Sequence, residues 1–205
     1  MKVIFDLDGT LIDVSERMYR LFQALVPQSL LSKNEYWELK RNKIRHEILL
    51  NKYFPEISFE YFNSKWMKAI ETEEYILMDT NYSDTIDVLR RLSNKFNLYL
   101  LTSRQLKCEL QRELEKLMLK KYFTDILVTE RKYSKKELLI QYIKNDVNFL
   151  KNVKYFISDV GEDIMLGNSF DLTTVAITHG FMNRPRLEEY QPKYIIDSLT
   201  ELLEL

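Results

Sequence analysis

Two aspartates near the amino terminus have the residue type and spacing that metal binding or acid–base chemistry requires. Asp6 and Asp8 follow the apolar residues 3–5, and Gly9 comes directly after them. If that run is a buried strand, the two side chains point the same way at its carboxyl end, where open α/β sheets bind ligands. Buried carboxylates are unfavourable unless they are paired or bind a metal. The pattern indicates a functional site, although short Asp-x-Asp pairs also occur in solvated turns.

A pair of hydroxyl side chains follows a second apolar run, residues 98–101. Thr102 can donate a hydrogen bond to an anionic oxygen without adding charge. The alternative is that these hydroxyls cap a helix, because a helical pattern begins at Leu106. We assign Thr102 to an anion and place Ser103 nearer the helix start. Arg104 is expected to be a solvated arginine of that helix.

A lysine at the start of a predicted helix is the third candidate. Ser134 and Glu137 have the spacing of a capping box. A lysine in the first turn of a helix is unfavourably placed in the helix dipole, so a functional role is favoured. Three lysines compete for this role, namely Lys132, Lys135 and Lys136.

A second set of acidic residues follows the apolar residues 155–157. Asp159 comes two residues after this run and Asp163 four residues later. As at the amino terminus, an apolar strand that ends in acid suggests a metal site at the edge of a sheet. Glu162 lies between the two aspartates and is expected to be exposed to solvent.

Taken in this order, the four segments resemble motifs I to IV of the haloacid dehalogenase (HAD) superfamily of phosphohydrolases. Residues 175–181 and 193–199 are similar to the end of its phosphoglycolate phosphatase-like branch. Ser158 departs from the family pattern, which usually has glycine there. The compact form of motif III has its lysine four and eight residues before apolar helix positions, a spacing that selects Lys135.

The resemblance implies a mechanism and a cofactor. Asp6 would attack phosphorus and form an aspartyl-phosphate. Asp8 would protonate the leaving oxygen and then deprotonate the water that hydrolyses the intermediate. Thr102 and Lys135, assisted by the backbone amide near Ser103, would bind the phosphoryl group. The implied Mg2+ ligands are Asp6, the backbone carbonyl of Asp8, Asp159 and Asp163.

Apolar runs alternate with helical segments, an order that predicts a parallel sheet covered by helices on both faces. The predicted strands are residues 3–5, 98–101, 126–128, 155–157 and 175–177. Residues 15–81 interrupt this order with helical periodicity and no convincing strand. The resemblance implies an α/β fold with a HAD-like, Rossmann-type three-layer core, residues 1–14 and 82–205. Residues 15–81 would be an inserted all-helical C1 cap.

The cap is expected to close over the core, exclude water and set specificity. Its basic stretch, residues 40–46, occupies roughly the place of the family's specificity loop. Arg41, Lys43 and Arg45 could bind an anionic leaving group or a second phosphate. For any single one of them, a solvated helix face is the alternative. His46 is expected at the surface.

Composition is that of an ordinary globular protein. The chain has 205 residues, of which 45% are hydrophobic and 30% charged, and its net charge is −1. This balance gives no reason to expect a nucleic-acid partner. No apolar run approaches the roughly 20 residues that span a bilayer, and the single cysteine, Cys108, fits a reducing compartment. We therefore expect a cytoplasmic enzyme with no membrane association.

Mg2+-dependent hydrolysis of small phosphate monoesters is the function that this pattern favours. Asp8 argues against dehalogenation, because dehalogenases of this scaffold do not need an acid at that position. A sugar phosphomutase shares every motif named above and remains an alternative. A non-catalytic binding protein that retained the fold is a further one. The expected partner is a small phosphorylated metabolite, whose identity the sequence does not specify.

Overall fold

The computed structural model describes residues 1–205 and contains a sheet of six parallel strands. In this sheet β1 is central, with β4 and then β5 on one side and β6, β7 and β8 on the other. All five predicted strands are confirmed. The eight strands are β1 (Lys2–Phe5), β2 (Ile12–Asp13), β3 (Thr80–Asn81), β4 (Asn97–Thr102), β5 (Phe123–Val128), β6 (Val153–Ser158), β7 (Thr174–Ile177) and β8 (Tyr194–Ile196).

Helices cover both faces of this sheet and form an inserted segment between β2 and β3. None of them is long and apolar enough to cross a membrane. The predicted α/β fold with a helical insertion is confirmed. The ten α-helices are α1 (Ser15–Leu25), α2 (Lys33–Arg41), α3 (His46–Tyr53), α4 (Phe59–Ala69), α5 (Glu73–Ile76), α6 (Thr85–Ser93), α7 (Lys107–Lys116), α8 (Lys135–Asn145), α9 (Gly161–Asn168) and α10 (Arg184–Glu188).

The first strand is apolar on both faces because helices pack against both. Val3 and Phe5 belong to a cluster that includes Leu89 of α6 and Leu114 of α7. Ile4 points to the opposite face, where it shares a cluster with residues of α8. A strand that is buried on both faces reads as a continuous apolar run rather than an alternating one. This explains why residues 3–5 could be predicted without any periodicity.

A small antiparallel ribbon connects the inserted segment to the sheet domain. Ile12 pairs with Asn81, and Asp13 pairs with Thr80. The expectation that residues 15–81 contain no strand is therefore wrong at residues 80 and 81. A two-residue strand has no sequence period and depends entirely on its partner, which lies about 70 positions away.

Helices α1 to α5 form a segment with an apolar cluster of its own. The cluster draws on α1, α2, α3 and α4, which explains the helical periodicity of residues 15–81. Its fully or nearly buried members are Leu21, Phe22, Val26, Tyr36, Leu49, Leu50, Phe62 and Trp66.

His46 lies within this cluster, so its expected position at the surface is wrong. Its ring stacks on Phe22 and Tyr36 and also contacts Trp66, with ring centroids 4.3 Å apart for the last pair. The hydroxyl of Tyr36 is 2.8 Å from Nε2 of His46. Burial among these rings, together with the nearby Lys40, lowers the pKa of His46 well below its ordinary value.

We expect His46 to make the stability of the protein depend on pH. Because its pKa is lower in the folded than in the unfolded chain, its contribution is complete above about pH 6.5 and is lost as the pH falls. Urea unfolding of the wild type and of His46→Gln between pH 7.5 and 5.5 measures this. Below pH 6.5, the free energy of unfolding of the wild type should fall by up to about 1.4 kcal/mol more per pH unit than that of the variant. Parallel pH dependences would contradict the assignment.

Candidate active site

Three neighbouring strands bring the sequence motifs to one edge of the sheet. β1 is hydrogen-bonded to β4 on one side and to β6 on the other, all in parallel. Their carboxyl ends therefore lie side by side. Asp6 follows β1, Thr102 ends β4 and Asp159 follows β6. Thr102 and Asp159 lie about 95 and 150 residues after Asp6 in the sequence, and all three side chains share one site.

Lys135 joins two of these motifs through its ammonium group. Its Nζ donates to Oδ1 of Asp6 at 2.7 Å and to Oδ2 of Asp163 at 2.5 Å. Ser158 supports the pair, because its hydroxyl donates to the same Oδ2 of Asp163 at 2.9 Å. This is the position where the family pattern usually has glycine. The departure therefore adds a hydrogen bond to the site.

The start of α8 determines where Lys135 lies. The hydroxyl of Ser134 accepts from the amide of Glu137, and the Glu137 carboxylate accepts from the amide of Ser134. The predicted capping box is therefore confirmed, and the helix begins at Lys135. Lys132 and Lys136, the other two candidates, are exposed to solvent.

Negative charge exceeds positive charge around Asp6. Burial raises its pKa to about 7, and Asp163 adds to this shift while Lys135 opposes it. Burial and the charge of Asp6 also raise the pKa of Asp159 well above its ordinary value. Asp163 and Asp6 raise the pKa of Lys135 despite its burial, so it is a cation at neutral pH. A further cation at this position would relieve the repulsion between the acids.

Asp159 is held between two loops that approach it closely. Its Oδ1 accepts from the hydroxyl of Thr10 at 2.8 Å, and its Oδ2 accepts from the amide of Phe181 at 2.6 Å. A Cβ atom at Gly9 or at Gly180 would lie 2.1 Å from the same Oδ2. Glycine is therefore required at both positions for the loops to enclose the carboxylate.

Thr102 and Ser103 have different environments. Thr102 is fully buried, and its hydroxyl has no hydrogen-bond partner in the protein. Ser103 is exposed, and the helix that follows begins at Lys107 without a side-chain cap, so the alternative that these hydroxyls cap the helix is wrong. Instead, the carboxylate of Glu71 accepts from the amides of Gln105 and Leu106 just before α7. A carboxylate from the inserted segment thus takes the place of a local cap.

Asp8 is bound by two arginines, Arg104 and Arg17. Arg104 forms a fork, with Nε donating to Oδ2 and a terminal nitrogen to Oδ1 of Asp8, both at 2.7 Å. Arg17 donates to Oδ1 at 2.6 Å. Burial would raise the pKa of Asp8, but the two guanidinium groups outweigh it and lower the pKa. The expectation that Arg104 is solvated is wrong, since it is only 4% exposed.

Two more acids complete this buried network. Asp79 lies 3.1 Å from Nε of Arg17 and 3.3 Å from Arg104, and Glu113 lies 3.0 Å from Arg104. Burial raises the pKa of Asp79 to about 9, and the neighbouring Glu113 acts in the same direction. With Asp79 protonated, the two arginines are balanced by two carboxylates. No sequence signal marked these residues, because each lies in an ordinary helical or loop context.

The three basic candidates of the inserted segment have different contacts. Arg41 donates to the carbonyl oxygen of Thr178 at 2.7 Å. Lys43 forms a hydrogen bond with the hydroxyl of Tyr190 and lies 3.4 Å from a carboxylate oxygen of Glu162, which is exposed as expected. Arg45 is exposed at the start of α3 and forms no ion pair through its side chain. Arg41 and Lys43 therefore connect the inserted segment to the sheet domain.

A cleft of about 480 Å³ opens beside Lys135 and Asp163. Its walls come from β4–α7, from the loop before α8 and from α9. Its polar residues are able to contact a small charged ligand. The lining residues are Ser103, Thr129, Tyr133, Ser134, Lys135, Lys136, Glu162, Asp163, Met165, Leu166 and Ser169.

The residues around Asp6 fit a magnesium ion. No three acidic, histidine or cysteine side chains converge closely enough to form a metal site by themselves. Mg2+ does not need such a cage, since it is usually bound by one or two carboxylates, waters and substrate oxygens. Asp6 and Asp159 would supply the carboxylates, and burial raises the pKa of each, a shift that a bound cation would oppose. The Asp8 carboxylate is occupied by arginines, which leaves its backbone carbonyl as the available donor.

Comparison with known proteins agrees with this arrangement. Residues 3–177 match the family model described as haloacid dehalogenase-like hydrolase. The chain belongs to this family. The resemblance inferred from the four motifs is therefore confirmed, and the protein is a HAD-like hydrolase.

Individual relatives of this HAD-like hydrolase are distant but match it almost end to end. Pyrophosphatase PpaX from Bacillus mycoides (strain KBAB4) is 25% identical, over 99% of this chain and 95% of the relative. A predicted phosphoglycolate phosphatase from Haemophilus somnus 129PT has a TM-score of 0.77 at 16% identity, covering 98% and 96% of the two chains. YfnB from Bacillus subtilis, whose structure contains bound magnesium, has a TM-score of 0.69 at 21% identity, covering 99% and 96%.

We expect Asp79→Asn to stabilise the protein, and increasingly so at higher pH. An acid whose pKa is raised in the folded state contributes its full stability below about pH 3.9, and that contribution is lost as the pH rises toward about 9. Asparagine resembles the protonated acid and has no such loss. Urea unfolding at pH 5, 6.5 and 8 measures the free energy of unfolding of both proteins. The excess of the variant over the wild type should widen by up to about 1.4 kcal/mol per pH unit. A constant gap would mean that Asp79 is ionised in the folded protein.

Proposed function

We propose that this HAD-like hydrolase is a Mg2+-dependent phosphatase acting on small phosphate monoesters through an aspartyl-phosphate. The observation that supports it best is the grouping of Asp6, Lys135 and Asp163 within hydrogen-bond distance, at the same sheet edge as the buried Thr102 hydroxyl. A nucleophile, a cation and an unused hydroxyl donor are the groups that phosphoryl transfer requires.

In the first half-reaction Asp6 is the nucleophile. One of its carboxylate oxygens bonds to phosphorus while the bond from phosphorus to the leaving oxygen breaks, and that oxygen takes a proton from Asp8. Lys135 and Thr102 bind oxygens of the phosphoryl group. These groups offset the charge that develops during the transfer, and the backbone amide near Ser103 assists them.

In the second half-reaction water replaces Asp6. The water oxygen bonds to phosphorus, Asp8 accepts a proton from the water, and the bond between phosphorus and Asp6 breaks. Asp8 is then an acid again, and inorganic phosphate is released. Two arginines lower the pKa of Asp8, so the resting protein holds the carboxylate form that this base step needs, and Asp8 takes up one proton from solvent before the first half-reaction.

Magnesium would be held by oxygen atoms around Asp6. Asp6, Asp159 and the backbone carbonyl of Asp8 are the proposed donors, with Asp163 acting directly or through water. When bound, Mg2+ would offset the charge of the phosphoryl oxygens. Thr10 orients Asp159 from the other side, since its hydroxyl donates to Oδ1 and accepts from the Asp159 amide.

Residues 15–81 are proposed to be the cap, and residues 1–14 and 82–205 the catalytic core. The cap contacts the core through Arg17 at Asp8 and through Arg41 at Thr178. These contacts shield the site from water. Specificity is proposed to depend on Arg41, Lys43 and Arg45, of which Arg45 has its charge free for a substrate anion.

Pyrophosphate is a second candidate substrate. The relative named pyrophosphatase PpaX matches nearly the whole chain at 25% identity. Pyrophosphate is small enough for a cleft of about 480 Å³. In that reaction the leaving group is phosphate itself, and the roles of Asp6 and Lys135 are unchanged.

We expect Asp6→Asn to abolish phosphate release, because the amide is not a nucleophile toward phosphorus. The assay measures inorganic phosphate from a panel of sugar phosphates, carboxylated phosphate esters, nucleotides and pyrophosphate, with Mg2+ or with chelator. Turnover should fall by at least about 10⁴-fold in the variant. It should also disappear with chelator.

Asp87→Asn is a matched control, because Asp87 is a half-exposed aspartate of α6 whose ion pairs are with Arg90 and Arg91 of the same helix. It should keep full activity. Circular dichroism confirms that both variants fold. A wild type that binds Mg2+ but is silent on the whole panel would favour a phosphomutase or a narrow specificity. A wild type that is silent and binds no Mg2+ would show the proposed function to be wrong.

We expect Thr10→Val to weaken magnesium binding while keeping the shape of the side chain. The variant removes the hydroxyl that holds Oδ1 of Asp159. Loss of such an orienting partner typically costs about 10- to 100-fold in metal affinity. Titration of activity with Mg2+ should show a half-maximal concentration higher by that factor, whereas Thr10→Ser should resemble the wild type. Equal values for Thr10→Val and wild type would exclude this role.

A further inference from the structure

Both carboxylate oxygens of Asp8 are fixed by arginines that come from different parts of the chain. Arg104 follows β4 in the sheet domain, whereas Arg17 lies in α1 of the inserted segment. Together they make three hydrogen bonds to Asp8, of 2.6, 2.7 and 2.7 Å. Each arginine is only 4% exposed, so solvent competes little for these bonds. The carboxylate has no freedom to rotate while both are in place.

The two arginines are themselves anchored. Arg17 also donates to the carbonyl oxygen of Ile70 at 3.2 Å, and Arg104 is paired with Glu113 at 3.0 Å. Asp79 lies between the two guanidinium groups. A planar guanidinium that is fixed at several nitrogens transmits a defined orientation to its carboxylate partner, which a lysine ammonium cannot do. The geometry is that of a rigid support for Asp8.

We propose that Arg17 and Arg104 are positioning residues that fix the place from which Asp8 exchanges its proton with the leaving oxygen. The inference rests on the proposed phosphatase function, in which Asp8 is the acid–base residue. Arg17 belongs to the inserted segment, so that segment supplies part of the support for an acid–base residue of the sheet domain. A displacement of about 1 Å in a catalytic group can cost about 100-fold in rate.

This role has a signature that a purely structural role lacks. An alkoxide leaving group is the conjugate base of an acid about as weak as water, so its departure depends strongly on protonation. A phenolate, with a conjugate acid of pKa about 10, depends on it less. The carboxylate released from an acyl phosphate, with a pKa of about 4, needs no proton at all. Misplacing Asp8 should therefore slow alkyl phosphates most and acyl phosphates least.

The test compares kcat and KM of wild type, Arg17→Gln and Arg17→Lys on glycerol phosphate, phenyl phosphate and acetyl phosphate. Arg17→Gln should lose about 100-fold in kcat on glycerol phosphate and less than about threefold on acetyl phosphate, with KM nearly unchanged. Arg17→Lys keeps the charge but not the planar guanidinium, and its kcat on glycerol phosphate should lie between those of wild type and Arg17→Gln. Arg20→Gln is the matched control, because Arg20 is an exposed arginine of the same helix that pairs only with Glu16.

The outcomes separate this inference from the proposed function. If wild type hydrolyses neither these three esters nor any compound of the earlier panel, and binds no Mg2+, the proposed function and the positioning role are both wrong. If wild type is active and Arg17→Gln lowers kcat equally on all three, the phosphatase stands and the positioning role is wrong. A uniform rise in KM would instead make Arg17 a substrate-binding residue. If Arg17→Gln does not fold, the same comparison on Arg17→Lys decides, with the steeper loss on glycerol phosphate still expected.

Discussion

The site depends on the placement of one ammonium group between two buried carboxylates. Asp6 and Asp163 would repel each other without Lys135, which lies within 2.7 Å of both. Removal of one partner from a buried set of charges typically destabilises a protein by about 3–5 kcal/mol. Helix α8 must therefore begin at Lys135 itself, because a shift of one residue would move the ammonium group away from the two acids. The capping box of Ser134 and Glu137 fixes that start. Helix capping and catalysis are thus parts of the same local arrangement.

The two aspartates of the first motif lie two residues apart but in opposite electrostatic environments. Asp6 has more acids than bases around it, and burial raises its pKa to about 7. Asp8 is held by Arg104 and Arg17, which lower its pKa despite burial. Two chemically identical groups therefore differ in pKa because of the charges that surround them. A further cation would relieve the excess of negative charge around Asp6, whereas the charge of Asp8 is already balanced by the two arginines.

Features that depend on local sequence could be predicted, and features that depend on distant partners could not. The five strands, the capping box before Lys135 and the family were readable because an apolar run or a cap is specified within about ten residues. Arg104 looked like any arginine near a helix start, because its partners Asp8 and Asp79 are 96 and 25 residues away. His46 looked solvated for the same reason, since the rings around it come from three other helices. The strand at residues 80 and 81 was missed because only its pairing defines it.

Close approach of backbone to carboxylate explains why this chain places its few glycines where it does. The chain has four glycines, and Gly9 and Gly180 both face Asp159. A Cβ atom at Gly180 would lie 2.1 Å from the Asp159 carboxylate and 2.3 Å from the carbonyl oxygen of Gly9, a backbone atom that cannot move aside easily. Gly9 also has a φ of +79°, which a side chain would strain. The two loops can therefore enclose Asp159 only without side chains, so the position of this acid is set by steric limits as much as by its hydrogen bonds.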